Sequence, residues 1–133
     1  MAEGTVMEKF AVGDLVIDCE EGTPGVIKVN WTGSSSIQNA QVALSPYFSV
    51  LLLRAVERRL MLEMHFENLR YFNSSTITAV IRLIADAAHK KVPVVLCYSV
   101  SATWQKQSFD ALGVFQKPGG LLEIRPVAAP LSV

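Results

Sequence analysis

The chain has 133 residues and a formal net charge of +0, with 50% apolar and 18% charged residues. That is enough for one domain with one core, and the balance excludes a disordered chain. The total charge gives no reason to expect nucleic acid or an anionic membrane as a partner, and no apolar stretch reaches the roughly 18 residues of a membrane span.

In chain order, Met1 to Phe10 carries Glu3 and Glu8 and no apolar run, so no signal peptide is expected. Leu15-Val16-Ile17, the turn Gly22-Thr23-Pro24-Gly25 and the β-branched run Val26 to Trp31 predict a hairpin. Gly33-Ser34-Ser35-Ser36 reads as the loop that ends it. Ser45-Pro46 reads as a helix start, serine as cap and proline in the first turn. Phe48, Leu51, Leu52 and Ala55 follow at helical spacing. Val50, Leu53 and Val56 widen that surface, which predicts burial on more than one side, with an exposed partner patch as the alternative. Arg54, Arg58 and Arg59 suit the solvated C-terminal end of this helix, or else an anion or partner site.

Met61 to Phe66 reads as a strand facing the core through Leu62, Met64 and Phe66, with Asn68 to Ser74 as its exit loop. A second helix is expected from near Ser75, its apolar stripe being Ile77, Val80, Ile81, Ile84, Ala85 and Ala88, with Ile81 in mid-stripe. His89, Lys90 and Lys91 suit its end. Val92 to Tyr98 reads as a buried strand, Ser101 to Leu112 as a third helix stopped by Gly113, and Leu121 to Arg125 as a last strand. The tail from Pro126 is expected to be loose. The order predicts a single α/β domain over 1–133, its core about 12–126, with parallel neighbours in the later part.

No catalytic motif stands out. His65 and His89 lack metal-ligand spacing, and Cys19 and Cys97 form no CxxC; Cys97 reads as an inert core thiol. Glu20-Glu21 falls in a turn, and Gly119-Gly120 has no helix after it to cradle a phosphate. Tyr47, Phe48, Tyr71 and Phe72 lack the basic interleaving of a nucleic-acid platform. No catalytic residue, cofactor or metal is expected.

The segment Asn73-Ser74-Ser75-Thr76 lies between a strand and a strongly amphipathic helix. One of these residues can simply cap the helix, yet the free N–H groups and macrodipole there also suit a phosphate. Tyr71-Phe72-Asn73-Ser74-Ser75-Thr76 resembles the loop after the third strand of the STAS family, named for sulfate transporters and anti-sigma factor antagonists. The likeness runs from about Leu62 to Phe115 and includes the turn Leu112-Gly113-Val114-Phe115; Ser36-Ile37 resembles the segment before the first helix in a small stand-alone branch of bacterial regulatory phosphoproteins. Thr76 departs from the glycine of many members.

The resemblance implies a mixed sheet of four to five strands with helices mainly on one face. It implies a cytoplasmic, non-enzymatic partner switch of the anti-sigma factor antagonist kind. Ser75, then Ser74, would be the phosphoacceptor, with Asn73, Thr76, Tyr71 and Phe72 serving the loop and its partner. The partners would be an anti-sigma-type serine kinase and a PP2C-type phosphatase, without nucleic acid or membrane; a homodimer is compatible with it. The alternatives are a constitutive STAS-like scaffold without phosphorylation, and a small-ligand-binding protein or enzyme on a similar sheet.

Overall fold

The computed structural model describes residues 9–117 and 119–128. The strands are β1 (Phe10–Val12), β2 (Leu15–Glu20), β3 (Val26–Ser35), β4 (Met61–His65), β5 (Leu69–Phe72), β6 (Val94–Ser99) and β7 (Leu122–Val127). The helices are α1 (Ala40–Arg58), α2 (Ser74–His89) and α3 (Thr103–Leu112), the last running into a 3-10 turn at Gly113–Phe115.

The expected hairpin is β2 and β3, paired antiparallel with Ile17 opposite Trp31. Beyond it the chain forms parallel pairs, β3 with β4, β4 with β6 and β6 with β7. The sheet order is β1-β2-β3-β4-β6-β7, with β5 attached to the far end of β3. The α/β class is as expected, but among the described residues the sheet has seven strands rather than four or five.

Alternation decides which face is buried. Leu15, Ile17, Ile27, Val29, Trp31, Leu62, Met64, Phe66, Leu96 and Tyr98 join the buried residues of all three helices in one apolar cluster. The other face carries a polar row read directly from the register: Asp18 opposite Asn30, Asn30 opposite His65, His65 opposite Cys97, Cys97 opposite Arg125. Among the described residues the helices therefore pack on one face. Among the described residues no helix is long and apolar enough to cross a membrane.

Several expected boundaries move. Gly33-Ser34-Ser35 is not a loop: β3 continues to Ser35 and recruits β5. The register shifts between Gly33 and Ser34, and Gly33 has a φ of 85°. A Cβ there would lie 1.8 Å from the carbonyl oxygen of Asp14, so glycine answers both the left-handed backbone and the close approach of the β1–β2 turn. Asn68 to Ser74 likewise holds a strand and the first residue of α2. Helix α1 starts at Ala40, not at Ser45, and Pro46 lies inside it. Proline removes the N–H that the Val42 carbonyl would receive. Both residues are exposed, on the solvent side of the helix. Strand β1 begins at Phe10 and β7 ends at Val127, so Pro126, expected to open a loose tail, lies in β7. The rest of the expected loose tails, 1–8 and 129–133, lies outside the described residues.

Candidate functional site

Two helices begin at one place. Asn73 precedes α2 with extended backbone, and its side-chain Oδ1 accepts hydrogen bonds from the Thr76 backbone N–H at 3.0 Å and the Thr76 hydroxyl at 2.7 Å. That is an N-cap, strengthened by a hydroxyl. The Asn73 amide group donates to the Ile37 carbonyl at 3.1 Å, and its backbone N–H donates to the Ser35 carbonyl at 3.0 Å. One asparagine thus ties α2 to the segment between β3 and α1.

Thr76 is fully buried. Its single hydroxyl proton goes to Asn73, so the Ser35 hydroxyl, 2.6 Å away, donates to it. The side chain that departs from the family glycine points inward. Thr76 is a core polar residue, not a partner contact. Phe72 is inside as well. It is buried against Phe66, Trp104 and Phe109, with ring centroids 6.0, 5.1 and 5.9 Å away, and it fixes the base of the loop. Tyr71 is 49% exposed and lies 6.3 Å from the Trp104 ring, so an aromatic pair remains beside the loop.

The two serines differ. Ser75 is half-buried, and its Oγ accepts the backbone N–H of Ala40, the first residue of α1, at 2.8 Å. Asn39, the residue before α1, is left-handed (φ 57°) and makes no side-chain cap, so Ser75 caps α1 from another helix. Ser74 is exposed, and among the described residues its hydroxyl makes no hydrogen bond; its carbonyl accepts from Thr78 at 3.1 Å. Neither α1 nor α2 has an acidic residue in its first turn. The positive ends of two helix dipoles therefore converge without an acidic side chain to offset them.

No family model and no curated protein matches this chain.

Gln105, which sequence reasoning passed over, supports the loop from below. It is buried, its amide donates to the carbonyls of Phe66 (2.8 Å) and Leu69 (3.0 Å), and its oxygen accepts from the Ser99 N–H at 2.7 Å. α3 thus braces the turn between β4 and β5. Ser35 and Ile37 were equally silent as loop partners. Their contacts to α2 span 36 to 41 residues, and no local pattern announces such a bond.

Elsewhere the chemistry is quiet. Cys19 and Cys97 are free and buried. Burial pushes the Cys19 thiol up to about 11, and burial with nearby Glu67 and Glu63 pushes Cys97 up to about 12, so both stay protonated at neutral pH. On the open sheet face, His65 places Nε2 2.7 Å from Glu63 and Nδ1 3.1 Å from Glu67. Burial lowers its pKa, but the two carboxylates outweigh this and raise it above the ordinary histidine value. The acids flank opposite sides of the ring. Among the described residues no group of three or more His, Cys, Asp or Glu side chains is placed to hold a metal.

Arg54 and Arg58 both pair with Glu21, at 2.9 and 2.6 Å, clamping the β2–β3 turn to the end of α1, and Arg59 is its left-handed C-cap. Val50, Leu53 and Val56 do not widen the buried face: they are exposed, as is Val42 one end up. Burial of α1 on more than one side is therefore not what the structure has.

Proposed function

We propose that this chain is a STAS-type partner switch: a non-enzymatic, cytoplasmic regulator that docks on an anti-sigma-type serine kinase and is released by phosphorylation of the α2 N-terminus. The observation that carries the reading is the pairing of an exposed serine, Ser74, with a loop braced from both sides by Asn73 and Ser75. The acceptor hydroxyl is free to enter a kinase site while its surroundings stay fixed. Accessibility favours Ser74 over Ser75, whose oxygen already caps α1. A phosphoryl group adds about −1.5 to −2 charge. Two converging helix N-termini favour that charge locally, but a partner closing over the loop would have to desolvate it. Tyr71 and the exposed apolar residues of α1 support a docking surface of this kind. A PP2C-type phosphatase would reset the switch.

The test is labelled phosphate transfer from a serine kinase that co-purifies with this chain, with peptide mapping and partner affinity measured on the same samples. Ser74→Ala should remove most of the label, and Ser74→Asp should weaken kinase binding without altering the fold. Label confined to residues outside Asn73 to Thr76 sinks the phosphorylation. Unchanged affinity of Ser74→Asp, with tight binding in both states, leaves the constitutive scaffold.

A further inference from the structure

The second half of α2 borders a cavity of about 400 Å3, far from the Asn73 loop. The volume lies within the range of small-molecule sites, about 300–1,000 Å3. Its walls are apolar: Ile81, Ile84 and Ala88 of α2, Val94 of β6, Leu122 of β7 and Phe115 of the 3-10 turn. The room exists because α2 presents Ala85, Ala87 and Ala88 here rather than larger side chains. Phe115 and Leu121, at 40% and 42% exposure, leave it open to solvent.

Charge at the cavity has one sign. Among the described lining residues Lys117 is the only charged one, and it makes no ion pair with a described residue. The acid nearest in the adjoining depression, Glu123, is engaged by Arg125 at 3.0 Å. Ala88 and Val92 both line the cavity, and between them the last residue of α2 and the turn after it carry His89, Lys90 and Lys91, all exposed. An apolar slot with a lysine at its edge and a basic turn beside it fits a ligand with one aliphatic tail and an anionic head.

We propose that this cavity binds a single-chain aliphatic carboxylate of the fatty-acid class, its tail along Ile81, Ile84 and Leu122 and its carboxylate at Lys117. The volume accommodates one tail, not the two of a membrane phospholipid. The proposal stands apart from the switch, since the site shares no residue with the Asn73 loop.

The test is calorimetric titration of the full chain with decanoate, decanol and decyltrimethylammonium below their aggregation limits, followed by amide NMR. Decanoate should bind saturably at one site and shift the amides of Ile81 to Ala88 and Leu121. Decanol should bind about tenfold more weakly, the loss of one charge-assisted hydrogen bond. Lys117→Glu should lower decanoate affinity about tenfold and leave decanol unchanged. Ala88→Trp should abolish both; residue 88 is exposed on the helix, and Ala85→Phe, at a second exposed position, serves if that variant does not fold. No saturable binding of decanoate, equal binding of decanol, or binding of the cation as tight as the anion overturns the proposal. So does dimerisation lost in Ala88→Trp without any decanoate binding, which would assign the cavity to a second copy of the chain.

Discussion

The hydroxyl oxygen of Ser75 accepts the backbone N–H of Ala40, so the first turn of α2 closes the first turn of α1. Ser75→Ala should therefore destabilise the fold by about 1 kcal/mol, the worth of a helix cap, while Ser74→Ala should stay within about 0.5 kcal/mol of the parent. Urea unfolding of the two variants measures the difference. Equal stabilities would mean that α1 does not depend on this bond.

The Ser35 and Thr76 hydroxyls form a buried pair that a valine of similar shape cannot replace. Thr76→Val strands the Ser35 donor and should cost about 1–3 kcal/mol. The double variant Ser35→Ala with Thr76→Val should recover part of that loss. If the double variant is as unstable as the sum of the singles, the two hydroxyls are not coupled.

Leu83 and Ile81 separate the true seam of α2 from the one its spacing suggests. The buried residues are Thr76, Ala79, Val80, Leu83, Ile84 and Ala87, and Ile81 is only partly buried, at the cavity wall. Leu83→Ala should cost about 2–5 kcal/mol, and Ile81→Ala about 1 kcal/mol. Thermal or denaturant melts that rank them the other way would return Ile81 to the core.

His65 makes stability depend on pH. Both ring nitrogens face carboxylates, an arrangement satisfied by the imidazolium, and the folded-state pKa is raised. The contribution is then fully present below the unfolded value, about 6.5, and is lost as pH rises through the raised folded value. For a partly exposed pair it amounts to about 1 kcal/mol or less. His65→Gln should flatten the stability profile across that window; a profile as steep as the parent's would place the titration elsewhere.

The elements with their own period were legible in the sequence: the β2–β3 hairpin, the alternation of β4, the apolar run of β6 and the stripe of α2. What escaped depends on distant partners. β5 buries Leu69 and Phe72 but exposes Arg70 and Tyr71, a pattern that lacks a strand's alternation, and it exists because β3 runs on past Gly33. The start of α1 carried no cap of its own, since the cap is Ser75, 35 residues ahead, and Ser45-Pro46 offered a false start nearby. The stripe of α2 was placed about one residue off because Ala79, Leu83 and Ala87 form a buried row as good as Ile77, Ile81 and Ala85. For the site, the Asn73 to Thr76 cluster could be read, but not the division of labour within it. Which hydroxyl faces inward is decided by Ser35, Ile37 and Ala40, brought there by the sheet.

Pro126 sits inside β7, the outermost strand on one side of the sheet, opposite Tyr98 of β6. A proline has no N–H to offer a further strand, and the same strand carries Glu123 and Arg125. At the other margin β1 is three residues long. A sheet whose two borders are blunted in these ways resists growing by strand addition from neighbouring molecules, which protects a one-sided sheet at high concentration from edge-to-edge aggregation.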